Sequence, residues 1–377
     1  MVANKRILIF STAYLPWVGG AEIAVKEITD RLARRGYEFE MITINLTGRE
    51  SRDEVVGAVR VHRLGGRGYF YKILYPFAAL YLARRLHTKK SFTATWSIMA
   101  SFSGFAAIFF KMLYPQVPYF LSLQEGDPLE RPKHRAMIVW PLFTQIFRQA
   151  HRIQAISSYL RHFAHDMGAR APIEIIPNGV DVKKFGATIA HIEQQKILQQ
   201  LPHVTVRLIT VSRLVEKNGT EDILRALAIL PEHVGLYILG TGVLEKKLRE
   251  QTVALGLSTR VFFAGQVPHG ELPVWLSASD IFIRPSRSEG MGNVFIEAMA
   301  AGVPIVGTPV GGIPDFLHDG ETGVFCQPHN PHSIATAVQK IMHDATLQAT
   351  LIANGKKLVV AYDWDLLAER MDTTFFC

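Results

Sequence analysis

The sequence predicts an α/β protein made of two doubly wound, parallel-sheet units. Three observations predict it. Strand-like apolar runs alternate with helical patterns through two successive passes of the chain, as in parallel sheets covered by helices. The turn-rich run Ile176-Pro177-Asn178-Gly179-Val180-Asp181 separates the two passes. The chain has 377 residues, more than one core of about 100–200 residues supports.

The first pass opens with the strand-like run Arg6–Phe10 and a loop from Tyr14 to Gly20. A helix follows over 21–35, because Ile23, Ala24, Ile28 and Leu32 recur at helical spacing and Gly36 stops it. Strands are predicted at 40–44, 59–63, 93–98, 117–123 and 152–156, with a helix at 103–114. Ser157 is a good N-cap for a helix over 158–167. The second pass places strands at 204–211, 235–239, 261–264, 281–284 and 304–307. Helices at 220–230, 244–255, 271–278 and 293–301 alternate with them, and 331–376 reads as helical. The expected domains are 1–176, a linker region over 177–203, a second domain over 204–358, and a closing segment over 359–377 that packs back toward the first. Two such units create a cleft where the carboxyl ends of the sheets face each other.

Composition narrows the function. Hydrophobic residues make up 48% and charged residues 20%, which is globular. Cys326 and Cys377 give neither a disulfide framework nor a metal-ligand cluster, and a reducing cytoplasm fits them. No signal peptide is expected, since Lys5 and Arg6 precede only a short apolar run. The apolar stretch from Trp96 to Phe110, ended by Lys111, is shorter than the roughly 18 residues a spanning helix needs. The net charge is +8, and it is concentrated in the N-terminal half: residues 1–175 carry 24 Lys and Arg against 13 Asp and Glu. Such asymmetry points to an anionic partner.

The segment Pro285 to Gly302 holds the strongest chemical signal. It follows a strand and opens a helix. Gly290 and Gly292 let backbone approach a ligand closely. The amides at the helix start, with the positive end of the helix dipole behind them, make a pyrophosphate-binding device. Glu289 lies in the loop and Glu297 inside the helix, so the two carboxylates can touch different parts of one ligand. Carboxylates accept only, which suits sugar hydroxyls.

Glu289 to Glu297 resembles the Glu-seven-residues-Glu motif of retaining glycosyltransferases of the GT-B fold, family four (glycosyl transferases group 1). The resemblance implies two Rossmann-like domains, with the donor held by the second. It implies that Glu289 faces the donor sugar and Glu297 the nucleoside ribose. The amides of Gly290, Met291, Gly292, Asn293 and Val294 would then hold donor hydroxyls or phosphate. A second match is Val211 to Gly219, where the family places an Arg and a Lys on the donor diphosphate. Cations there would stabilise charge on the leaving group. Arg213 fits in register; the family's Lys position holds Asn218, and Lys217 stands one place early. Either Lys217 reaches the phosphate or Asn218 substitutes a dipole. The third match is Val18 to Glu22, whose Gly19 and Gly20 can meet donor phosphate or acceptor. At the fourth, the family's His is replaced by Gln124, which can hydrogen-bond a sugar hydroxyl but cannot titrate; Glu125 and Asp127 stand beside it.

Further similarity lies in Ile176–Asp181, Arg260–Pro268, Gly311–Asp315, Gly320–Phe325 and Tyr362–Trp364. The resemblance thus implies a retaining, metal-independent hexosyltransferase with catalytic candidates Glu289, Arg213, Lys217 and Gln124, no cofactor, and a UDP- or GDP-linked sugar as donor. A glycan or lipid-linked cell-envelope acceptor is expected, with the enzyme cytoplasmic and weakly held on the inner membrane face through its basic N-terminal half. Nucleic acid is not an expected partner, because no recognised binding motif accompanies the charge. The alternatives are an epimerase or phosphorylase of the same fold, or a silent donor-binding subunit.

Overall fold

The computed structural model describes residues 5–17, 19–66, 69–127 and 140–377. The chain divides into two compact units, Met1–Gly179 with Trp364–Cys377, and Val180–Asp363.

The first unit is built on strands β1 (Lys5–Phe10), β2 (Tyr37–Ile44), β3 (Asp53–Val56), β4 (Val59–Leu64), β5 (Ala94–Ile98), β6 (Tyr119–Leu123), β7 (Arg152–Ala155) and β8 (Ile173–Ile175). Among the described residues their order is β3-β4-β2-β1-β5-β6-β7-β8. The ladder is parallel except for β3, which runs antiparallel to β4. β5 and β6 are buried throughout, as strands covered on both faces must be. Helices Gly20–Ala33, Phe102–Leu113 and Ser158–Asp166 connect strands. Ser157 caps the last of these, accepting a hydrogen bond from the Leu160 amide.

The second unit contains β9 (Val206–Val211), β10 (Val234–Leu239), β11 (Val261–Gly265), β12 (Ile281–Arg284), β13 (Ile305–Gly307) and β14 (Val324–Phe325). They form a parallel sheet in the order β11-β10-β9-β12-β13-β14 among the described residues. The order reverses at β9, where connections leave in opposite directions, and that is where such sheets open a binding crevice.

Three features differ from the sequence reading. The expected linker region over 177–203 contains two helices, Val182–Phe185 and His191–Leu198, which belong to the second unit. Asp181 starts the first of these by accepting from the Lys184 amide. The chain re-enters the first unit at Trp364, five residues later than 359. There Trp364, Leu367, Ala368, Met371, Phe375 and Phe376 complete the first core, with Phe376 at 5.2 Å from Trp96 and Phe375 at 5.1 Å from Phe120, ring centre to ring centre. Finally, Tyr69–Lys89 is a long helix that no periodicity announced.

Candidate functional site

The second unit gathers the motif residues around the carboxyl ends of β9 and β12. Each residue of β12 is buried, and so are Pro285, Ser286, Ser288, Glu289, Gly290 and Met291 of the loop after it. Gly292 adopts φ +90° and caps the helix Asn293–Ala300, a conformation that favours glycine. Asn293 is half-buried and Val294 buried at the helix start. Glu289 and Glu297 are 7% and 5% exposed. Carboxylates so buried need partners. Glu289 Oε2 accepts from Arg284 Nη2 at 2.5 Å. Glu297 Oε1 lies 2.8 Å from His269 Nε2.

The loop after β9 is stitched to this one. Arg213 is exposed, Lys217 half-buried, and Asn218 only 2% exposed. The Asn218 side chain donates to the Arg213 carbonyl at 2.6 Å and accepts from Arg284 Nη2 at 3.1 Å. The Arg287 amide donates to the Lys217 carbonyl at 2.7 Å, and the Arg287 guanidinium bonds Glu216 and Asp222. Gly219, at φ +70°, lies so close that a Cβ would stand 2.3 Å from the Pro285 carbonyl oxygen. From the other side the Gly312 amide donates to the Glu289 carbonyl at 3.1 Å. Asn218 therefore carries a positioning contact, while Arg213 presents its charge outward.

Gly19, Gly20 and Gln124 belong to the first unit. Gly19 is extended and precedes the helix that Gly20 begins. Gln124 follows β6, and both ends of its amide are taken by Asn178: Nε2 donates to Oδ1 at 3.0 Å, and Oε1 accepts from Nδ2 at 2.7 Å. Gln124 thus fixes the Pro177-Asn178-Gly179 turn. Next to it, Glu125 Oε1 accepts from the Ala100 amide at 2.6 Å, while Oε2 is buried without a partner. Burial pushes this carboxyl up to about 7. Of the sequence-named residues, Arg213, Lys217, Asn218, Glu289, Gly290, Met291, Gly292, Asn293, Val294 and Glu297 come together in one unit.

The family model described as "Glycosyl transferases group 1" matches residues 193–358, and that of "Glycosyltransferase Family 4" matches residues 18–184. Together they take in both units. The chain belongs to the group 1 glycosyltransferases. Among curated relatives of this family, a GDP-mannose-dependent alpha-(1-6)-phosphatidylinositol monomannoside mannosyltransferase of Mycobacterium tuberculosis is 32% identical over 231 residues, 57% of this chain and 59% of that protein. The chain therefore spans less than two thirds of that relative's length. The lipopolysaccharide core biosynthesis glycosyltransferase LpsE of Rhizobium meliloti is 27% identical over 91% of each chain. Among solved structures, sucrose-phosphate synthase from Thermosynechococcus elongatus aligns with TM-score 0.84 at 22% identity over 99% of this chain and 98% of that one. Anabaena HepE in complex with UDP-glucose aligns with TM-score 0.78 at 20% identity over 98% and 99%. The fold is thus GT-B, as the motif implied.

Sequence reasoning missed Arg284, His269, Arg287 and the support of Gly311 and Gly312 for the Glu289 backbone. Arg284 had one signal: a charge ending the apolar strand Ile281-Phe282-Ile283. A charge at such a position demands a partner. Among the described residues, no group of three or more His, Cys, Asp or Glu is arranged to hold a metal ion.

Proposed function

We propose that the chain is a retaining glycosyltransferase that moves a hexosyl group from a UDP- or GDP-linked sugar to a glycan or lipid-linked acceptor of the cell envelope. One observation carries this reading: Glu289, buried and ion-paired, stands just before the amide end of helix Asn293–Ala300, beside the loop that presents Arg213. The amides suit a diphosphate and the carboxylate a sugar hydroxyl. In this reading the bond from the anomeric carbon to the diphosphate oxygen breaks, and its electron pair leaves with the phosphate. The acceptor oxygen bonds the same face of that carbon, and its proton passes to the departing phosphate oxygen. Arg213 and Lys217 stabilise the charge that develops there, without a metal ion. Glu297 holds the ribose. Two kinds of relative support the donor class: those named for GDP-mannose, and HepE, solved with UDP-glucose. The lipid-linked and core-lipopolysaccharide acceptors in the relatives' names support the acceptor class.

No helix of the described residues is long and apolar enough to cross a membrane. Helix Tyr69–Lys89 instead presents Phe70, Phe77 and Tyr81 at 63–66% exposure, with Arg84, Arg85 and Lys89 exposed beside them. Aromatic and basic side chains together favour an anionic bilayer surface. We place the enzyme on the cytoplasmic face of the membrane by this helix.

Thermal unfolding against UDP-, GDP- and ADP-sugars tests the donor, since stabilisation grows with ligand concentration over Kd. A UDP- or GDP-sugar should raise the midpoint, and turnover with acceptor should give a product of unchanged anomeric configuration, also in EDTA. Glu289→Gln should bind donor and lose most turnover. A flat response to every nucleotide sugar, or turnover by Glu289→Gln within a few-fold of wild type, would overturn the reading.

A further inference from the structure

A guanidinium at the end of a buried central strand is costly unless every contact is arranged for it. Arg284 ends β12, between β9 and β13, and is 9% exposed. Its Nη2 serves two acceptors, Glu289 Oε2 at 2.5 Å and Asn218 Oδ1 at 3.1 Å. The guanidinium carbon lies 5.8 Å from the centre of the Phe295 ring, and Nε is buried without a partner. Asn218 passes the connection on by donating to the Arg213 carbonyl. One hydrogen-bonded line thus runs from the backbone of the exposed cation, through Asn218 and Arg284, to the carboxylate.

We propose that Arg284 is a positioning residue for transfer: it fixes the Glu289 carboxylate, leaving Oε1 for a donor-sugar hydroxyl, and ties that carboxylate to the loop bearing Arg213. This rests on the transferase reading above. The line also accounts for a neutral side chain at 218. Asn218 supplies one acceptor to Arg284 and one donor to the loop, whereas a lysine there would set a second cation against the buried guanidinium. An amide is the group that can bridge the two.

A double-mutant cycle tests this, with turnover of the nucleotide sugar identified by the thermal screen as readout. Arg284→Lys keeps a positive charge in the core but loses the planar fork. Arg284→Lys should lower kcat by about tenfold or more while donor KM changes less than about threefold, as for an interaction realised in the transition state. Because Arg284 acts through Glu289, Arg284→Lys/Glu289→Gln should be no worse than Glu289→Gln alone, within about threefold. Arg284→Met, measured on the folded fraction, should fall further than Arg284→Lys. Losses that multiply in the double variant, or a loss confined to unfolding midpoint with kcat intact, overturn the role of Arg284 while leaving the transferase reading standing. Wild-type protein that turns over no nucleotide sugar overturns both.

Discussion

His269 and Glu297 meet across a loop and a helix of the second unit, Nε2 to Oε1 at 2.8 Å, with the His269 ring 5.5 Å from that of Phe185. Phe185 lies on a short helix that follows the crossing between units. Glu297 is thus oriented by an imidazole that is itself packed in place. If Glu297 holds the ribose, far from the bond that breaks, loosening it weakens ground state and transition state alike. His269→Ala should therefore raise donor KM roughly 10–150-fold, as removal of a hydrogen bond to a charged group does, and leave kcat within about threefold. Steady-state kinetics with donor varied checks it; a loss in kcat alone would contradict the assignment.

The cation loop makes a ranking. Arg213 is exposed and Asn218 is buried in structural hydrogen bonds. Arg213→Ala should lose donor affinity and rate together, about 1.5–3 kcal/mol in kcat/KM. Lys217→Ala should lower kcat/KM with little change in thermal stability. Asn218→Ala should lower both, because it orphans a buried guanidinium contact. A variant Asn218→Ala as stable as wild type would show that the amide pairing does not hold the loop.

Gly311 adopts φ +57°, and a Cβ built there would stand 1.8 Å from the Glu289 carbonyl oxygen. Gly311→Ala should displace the Glu289 loop, cost about 1–3 kcal/mol of stability from strain, and remove most turnover. Gly320, at φ +75°, has nothing within 4 Å of its Cβ position. Gly320→Ala should show only the conformational cost, about 1 kcal/mol, with activity retained. Denaturant unfolding and turnover on both variants separate strain from collision.

These contacts mark what the sequence could and could not disclose. The Glu289–Glu297 segment was legible because its glycines, its two carboxylates and its strand-loop-helix context are contiguous. The bond from Arg284 to Asn218 spans 66 positions and exists because β12 pairs with β9. No local pattern encodes such a bond. Helix Tyr69–Lys89 escaped for another reason. It contains Pro76, and its apolar residues face outward as well as inward, so no 3.6-residue period stands out. Its anchor, Tyr75, is buried and donates to the Ile42 carbonyl at 2.7 Å, a tertiary fact. The short helices after Asp181 were hidden because four and eight residues leave little room for periodicity.

Glu125 gives a pH prediction. Its carboxyl is pushed by burial from an ordinary 4.5 up to about 7. The folded state holds this proton more tightly than the unfolded state. The associated stability is therefore complete below about pH 4.5 and is lost as pH rises through about 7, by on the order of 1–3 kcal/mol. Glu125→Gln can still accept from the Ala100 amide and carries no proton to lose. Between pH 5 and pH 8 its stability should fall less than that of wild type. Parallel pH profiles of unfolding free energy would show that Glu125 ionises without cost.

The outward face of helix Tyr69–Lys89 makes the last prediction. The first unit carries the positive charge of the chain, and this helix joins it to aromatic surface: Phe70, Tyr71, Phe77 and Tyr81 are exposed, and Arg85 lies over the Tyr81 ring at 5.8 Å. Isolated exposed apolar residues are ordinary, but a row of them on one helix marks an interaction surface. Each basic residue near an anionic bilayer contributes up to about 1 kcal/mol, screened by salt. Phosphatidylglycerol-containing vesicles should therefore sediment the protein at low salt and release it at high salt, and phosphatidylcholine vesicles should not. Arg84→Glu/Arg85→Glu should abolish the lipid preference, while Phe70→Ala/Phe77→Ala/Tyr81→Ala should weaken binding at every salt concentration, each measured on folded protein because Phe77 also stacks on Phe109 and Arg85 on Tyr81. Equal recovery of wild-type protein in the supernatant from neutral and anionic vesicles at low salt would remove the membrane from the account and leave this face for a protein partner.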